Sequence, residues 1–219
     1  MVYAHDSKSC GLTTMWVQVP PPVQMKKNLP PNFDKQLLAY VIGVALGDGN
    51  LSDPNGRATR LRITCDLKYP KLIKKIQNSI STLLPNNKVS IIKSPGNYIN
   101  ISCYSNHWEK LVGWDVGKGS KLTQKISIPN WIKENNDYKI NCLRGLIETD
   151  GSIYLDRGYK TVMFTSAIPN LAKDVYNLMI SLEFKPRFYT IQNGKNLVYR
   201  IRIATNVDKF LELIKPEKN

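Results

Sequence analysis

Two short stretches hold the residues best placed to do chemistry. Asp48 lies between Gly47 and Gly49, and Asp150 lies between Thr149 and Gly151. One Asp-Gly pair is an ordinary way to end a helix. Here the residues before it repeat as well: Val41-Ile42-Gly43-Val44-Ala45-Leu46-Gly47-Asp48-Gly49 and Leu143-Arg144-Gly145-Leu146-Ile147-Glu148-Thr149-Asp150-Gly151. Gly43 and Gly47 are four residues apart, as are Gly145 and Thr149, so each pair shares one helical face. Glycine inside a helix costs about 0.5–1 kcal/mol relative to alanine. Close crossing of two helix backbones over those faces supplies the compensation. The crossing brings Asp48 and Asp150 together at the C-terminal ends of their helices, where the dipole disfavours anions and like charges repel. A divalent cation answers both problems and polarises a scissile phosphate. Gly49 and Gly151 are expected to stop the helices in left-handed geometry.

The elements that position these acids repeat in the same order. The first half opens at Pro31-Asn32-Phe33 with a helix from Lys35, and the second at Pro129-Asn130-Trp131 with a helix from Lys139. After each Asp-Gly the patterning predicts a strand (59–65; 160–166), an amphipathic helix (70–84; 170–182), two strands joined by a turn (88–93 and 98–103; 187–191 and 198–203) and a short last helix (106–112; 206–214). With a strand following each Asp-Gly directly, each half reads αββαββα. The expected organisation is a leader at 1–32, a first repeat at 33–112, a linker at 113–128 and a second repeat at 129–219. The proline-rich leader is expected to be flexible or extended.

Composition points to the partner. Thirty-one Lys and Arg against 17 Asp and Glu give a formal net charge of +14. That excess fits a polyanion, nucleic acid before an acidic membrane. No apolar run approaches the roughly 20 residues that span a bilayer. Cys10, Cys65, Cys103 and Cys142 form no Cys-x-x-Cys pair, and His5 and His107 are the only histidines. The pattern argues against zinc and against a secreted disulfide scaffold. An intracellular setting is expected, a bacterial or archaeal cytoplasm or an organelle.

The doubled nine-residue pattern resembles that of the LAGLIDADG homing endonucleases in their single-chain, two-motif form. The resemblance covers about residues 33–215. It implies an α+β fold in which two pseudo-symmetric αββαββα repeats place two antiparallel sheets as a DNA-binding saddle, joined through paired motif helices. It further implies that Asp48 and Asp150 are catalytic and bind Mg²⁺ with backbone carbonyls near Gly47 and Thr149 and with DNA phosphates. The expected activity is site-specific cleavage of both strands of a long, non-palindromic duplex by a monomer, leaving staggered ends, as in intron homing. The other motif position that is often acidic is Leu46 in the first copy and Glu148 in the second. Glu148 reads as an auxiliary acid or, the favoured choice, a surface charge at the helix end. Polar or basic side chains that organise solvent are sought at Asp66, Lys68 and Ser166, and no lysine stands out.

Strand alternation supplies candidate DNA contacts. Arg60, Arg62 and Thr64 share one face, as do Tyr98, Asn100 and Ser102, and Arg200 and Arg202. Such side chains suit base edges in the major groove. The central strand of the second half, with Val162 and Phe164, does not sort cleanly by this test. Further candidates are Arg57, Lys93, Asn97, Arg157, Lys160, Ser166, Arg187, Tyr189 and Lys195. Two rival functions share the fold: a maturase acting on host intron RNA, and a DNA-binding regulator without chemistry. Loss of one acid would mark the regulator, and both acids are present.

Overall fold

The computed structural model describes residues 33–194 and 196–217. The leader and Lys195 lie outside them. The two motif helices are α1 (Lys35–Asp48) and α5 (Asn136–Asp150). Both start on a side-chain cap: Asp34 accepts the N–H groups of Gln36 and Leu37, and Asn135 those of Asp137 and Tyr138. Such caps satisfy backbone donors that have no partner within the helix. In α1, every residue from Leu38 to Leu46 is buried, as expected of a helix that is apolar all round.

Around this pair the chain builds two equivalent halves. In the first, β1 (Gly49–Ser52), β2 (Arg60–Asp66), β3 (Val89–Lys93) and β4 (Tyr98–Tyr104) form an antiparallel sheet in the order β1-β2-β4-β3. It is accompanied by α2 (Pro70–Leu83) and α3 (Trp108–Val112). After the short α4 (Asn130–Lys133), the second half repeats the order. Strands β5 (Gly151–Asp156), β6 (Tyr159–Ser166), β7 (Arg187–Asn193) and β8 (Asn196–Ile203) pair as β5-β6-β8-β7, with helices α6 (Pro169–Ser181) and α7 (Val207–Ile214). The fold is therefore α+β with two repeat halves. Among the described residues, no helix is long and apolar enough to cross a membrane.

Each sheet has an apolar inner face. Leu61, Ile63, Ile99, Ile101 and Cys103 are buried in the first; Val162, Phe164, Ile201 and Ile203 in the second. The helices α2 and α6 start with a proline in the first turn, where its missing N–H costs nothing. They turn Leu72, Ile76 and Ile80, and Leu171, Val175 and Leu178, into the core. The central strand of half two does sort: Val162 and Phe164 face the core, and Thr161, Met163 and Thr165 lie on the other face. Its outward residues are uncharged and partly apolar, which hid the alternation.

The crossing of α1 and α5 is a backbone contact. A Cβ on Gly43 would lie 2.2 Å from the carbonyl oxygen of Cys142, and one on Gly145 would lie 2.5 Å from that of Tyr40 and 2.6 Å from the nitrogen of Val44. A Cβ on Gly47 would lie 2.0 Å from Thr149 Oγ1. Gly49 and Gly151 correct an expectation. Both are extended, with φ −77° and ψ 146°, and φ −89° and ψ 156°, so each helix passes straight into a strand. The chain bends so tightly there that a Cβ would approach the helix backbone: 2.4 Å from the Ala45 oxygen for Gly49, and 2.5 Å from the Ile147 oxygen for Gly151.

Gly145→Ala is expected to lose about 1–3 kcal/mol of stability through overpacking, seen as a lower midpoint in chemical denaturation. An unchanged midpoint would mean that the crossing tolerates a methyl group.

Candidate active site

Asp48 and Asp150 are the last residues of α1 and α5, so the crossing that seats Gly47 against Thr149 also sets the two acids beside each other. A Cβ on Gly47 would lie 3.4 Å from Asp150 Oδ2, which puts that carboxylate against the residue preceding Asp48. Asp48 is exposed and Asp150 half-buried. A small cavity of about 70 Å³ opens beside Asp48, lined also by Cys65, Asp66, Tyr69, Glu148 and Thr149. The Cys65 thiol is pushed up to about 12, by burial first and by the charge of Asp48 second.

A lysine that sequence reasoning did not single out completes the group. Lys121 Nζ donates to the carbonyl oxygens of Ala45, Leu46 and Gly47, at 2.9, 2.8 and 2.5 Å. Its ammonium lies 5.5 Å from the centre of the Trp114 ring. Burial lowers its pKa to about 8, against the pull of Asp150 and Asp48 in the other direction. A cation on the last carbonyls of α1 answers the dipole there, so the end of the helix carries a compensating charge close to both acids. The 113–128 segment delivers it as an ordered loop. Gln124 bonds to both the N–H and the carbonyl of Asp115, Glu109 accepts the N–H of Val116, and Ile126 and Ile128 are buried. The only hint in the sequence was a basic, glycine-punctuated segment; nothing in its spacing separates Lys121 from Lys118 or Lys125. In α5 the corresponding turn uses its own hydroxyl: Thr149 Oγ1 donates toward the carbonyls of Gly145 and Leu146.

Glu148 corrects the favoured expectation of a surface charge. It is 2% exposed. Oε2 accepts from the Tyr40 hydroxyl at 2.8 Å; Oε1 accepts from Lys75 Nζ and from the Glu217 N–H, both at 2.7 Å. The carboxylate thus ties α1, α2 and the segment after α7 to α5. Tyr40 is held far above the ordinary phenol range, by burial first and the Glu148 charge second.

The candidate DNA contacts divide. Exposed or partly exposed on the outer faces are Arg60, Arg62, Thr64, Tyr98 and Asn100 in half one and Arg187, Tyr189, Arg200 and Arg202 in half two. Arg57, Lys93, Asn97 and Arg157 are exposed at strand ends and loops. Two expectations need correction. Ser102 has outward parity but is 3% exposed, covered between the strands that flank it. Ser166 falls on the core side of β6, where it accepts the Ile168 N–H. Lys160 remains exposed and pairs with Asp208 of α7 at 2.6 Å. Of the solvent-organising candidates, Asp66 accepts the Lys68 N–H at 2.8 Å beside the small cavity, while Lys68 lies 5.5 Å from the centre of the Tyr69 ring.

Comparison with known proteins agrees with this architecture. Residues 137–215 match the family model of the LAGLIDADG-like domain. Structures of the homing endonuclease I-DmoI superpose with TM-scores of 0.63 and 0.60, at 17% and 18% identity. The first covers 84% of this chain and 98% of that one; the second is a complex with DNA and Mn, covering 82% and 96%. The second half thus carries a LAGLIDADG-like domain, and the chain as a whole has the two-repeat fold of these structures. The N-terminal LAGLIDADG domain of DUF199/WhiA is similar too, with a TM-score of 0.57 at 16% identity, covering 85% of this chain and 86% of that domain. At these identities the likeness shows the fold. A tRNA-splicing ligase RtcB of Methanopyrus kandleri is 25% identical over 198 residues, 80% of this chain. The chain spans about a fifth of the length of that curated relative.

Glu148→Ala leaves the Tyr40 hydroxyl and the Glu217 N–H without their acceptor. Lys75 is still 24% exposed and can turn to water, so the loss stays below that of a sealed ion pair. About 1–3 kcal/mol is expected, with a smaller loss for Glu148→Gln, both read by thermal or chemical denaturation. A change within about 0.5 kcal/mol, typical of surface positions, would contradict the network.

Proposed function

We propose that this protein is a site-specific, divalent-metal-dependent endonuclease that cuts both strands of a long, non-palindromic DNA duplex as a monomer. The observation that carries the reading is that each repeat ends its motif helix in an acid, Asp48 or Asp150, and that the crossing brings the two beside Lys121. A binding-only protein has no need of two anions at helix C-termini. The net charge of +14 and the arginines on the outer faces support a polyanionic partner. Intron homing is the biological setting that fits such an activity, and host intron RNA is a further candidate partner.

The donor set fits a hard cation such as Mg²⁺. Two carboxylates and nearby backbone carbonyls are oxygen ligands. Water and phosphate oxygens of the DNA would complete the coordination. Asp48, Asp150 and a carbonyl near Thr149 would hold the ion; the carbonyl of Gly47 is engaged by Lys121 instead. When bound, Mg²⁺ polarises the scissile phosphate and eases deprotonation of an attacking water. The protein's own contribution is placement: the helix crossing fixes the separation of the acids, and Lys121 fixes the end of α1 and adds positive charge next to the phosphates. Cleavage of one strand by each half across the minor groove gives staggered ends.

Asp48→Asn and Asp150→Asn should each abolish double-strand cleavage while retaining target binding, measured on a duplex with the uninterrupted sequence that flanks the element carrying the gene. Undiminished double-strand cutting by either variant would sink the two-acid mechanism. Lys121→Met should slow single-turnover cleavage by about 100-fold, the scale for losing one electrostatic stabiliser. A rate equal to that of the parent would leave Lys121 only a structural role at the helix end.

A further inference from the structure

Two arginines on the outer faces are braced, one in each half. Arg60 Nε on β2 donates to Ser52 Oγ on β1 at 3.1 Å. Arg202 Nη2 on β8 donates to Asp156 Oδ2 on β5 at 2.6 Å and lies 3.5 Å from Thr161 Oγ1 on β6. The registers relate these places. Gly49 faces Ile63 and Gly151 faces Phe164, so Arg60 and Thr161, three residues earlier on their strands, are equivalent positions. The backbone position of Arg202 instead matches Ser102, because Ser102 faces Arg62 and Arg202 faces Met163, its equivalent. The Arg202 side chain therefore leans along the sheet and over Thr161, which is 0% exposed. Each half thus holds a guanidinium over the same part of its sheet, from β2 in one and from β8 in the other, with the second brace, Asp156, two residues beyond the equivalent of Ser52.

We infer that Arg60 and Arg202 are the paired guanine readers of the two halves, so that a target non-palindromic elsewhere carries guanines at mirror-related positions in its half-sites. The inference rests on the DNA reading proposed above. Guanine presents O6 and N7 in the major groove, two acceptors that match two parallel N–H donors of a guanidinium. The Arg60 brace occupies Nε and leaves both terminal nitrogens for a base. The Arg202 brace engages Nη2 through Asp156 and, more weakly at 3.5 Å, through Thr161, and leaves both hydrogens of Nη1 for the base. An ion pair this exposed, 29% for Arg202 and 37% for Asp156, contributes little to stability. What it does contribute is direction, because a held guanidinium gives up less rotamer freedom on docking. Ser52 and Asp156 are therefore positioning residues.

The full chain is incubated with a library of randomised duplexes, and the bound fraction is sequenced for the parent, Arg60→Lys, Arg202→Lys, Asp156→Asn and Asp156→Glu. Lysine keeps the charge and the long stem but loses the paired donors. The parent is expected to enrich a site with a guanine in each half, equidistant from the centre. Arg60→Lys should reduce the guanine preference in one half by about ten- to a hundred-fold, and Arg202→Lys should do so in the other. Asp156→Asn should relax the Arg202 position alone, with Asp156→Glu restoring it. A change confined to one base position separates reading from misfolding. If a site is enriched without mirror-related guanines, or if the preference survives both lysine variants, the inference falls and the DNA reading stands. If the parent enriches no sequence, both fall.

Discussion

The structure depends on the approach of two helix backbones to within a distance that no Cβ permits. At the crossing of α1 and α5, glycine faces carbonyl oxygen in both directions: Gly43 toward Cys142, Gly145 toward Tyr40. This contact joins the halves, sets the register of one helix on the other, and determines how far apart the two acids stand. Everything else is arranged outward from it. The strands start at the residue after each acid, so each sheet inherits its position from its own motif helix. Helices α2 and α6 then close the apolar faces that the strands leave.

Putting two carboxylates at the negative ends of two helices has a cost, and the protein answers it in two ways. Lys121 reaches back from the 113–128 loop to the last carbonyls of α1, adding a positive charge where the dipole and the acids demand one. Glu148, two residues before Asp150, is engaged by Tyr40, Lys75 and the Glu217 N–H. The same helix thus carries one acid buried in a structural network and one, Asp150, half-buried at its end beside Gly47. Their separate fates follow from helical geometry, since residues two apart face different directions.

The halves are relatives that have diverged where they face outward. The inner faces keep equivalent apolar rows, because packing against a helix allows little else. The outer faces do not: Arg62 and Ser102 in one half correspond to Met163 and Arg202 in the other. Positive charge has moved between neighbouring strands while staying over nearly the same patch of sheet. That freedom is what a protein needs if its two halves meet different sequences, since an outward side chain changes contacts with DNA without changing the core.

The doubled motif, the order of elements and the identity of both acids were legible in the sequence, because they rest on local rules: a four-residue spacing puts small residues on one face, and alternation of two marks a strand. What failed were places where a distant segment decides. Lys121 could not be chosen from its neighbours because its role is set by a helix end more than seventy residues earlier in the chain. Glu148 read as a surface charge because Lys75 and Glu217, which bury it, are remote. Ser166 was a candidate contact although it lies buried on the core side of its strand, and Ser102 is covered by its neighbours. Local spacing determined which residues could form helices, strands and the acid pair; tertiary packing decided which polar groups share an environment, because burial and charge compensation come from segments that meet only once the chain has folded.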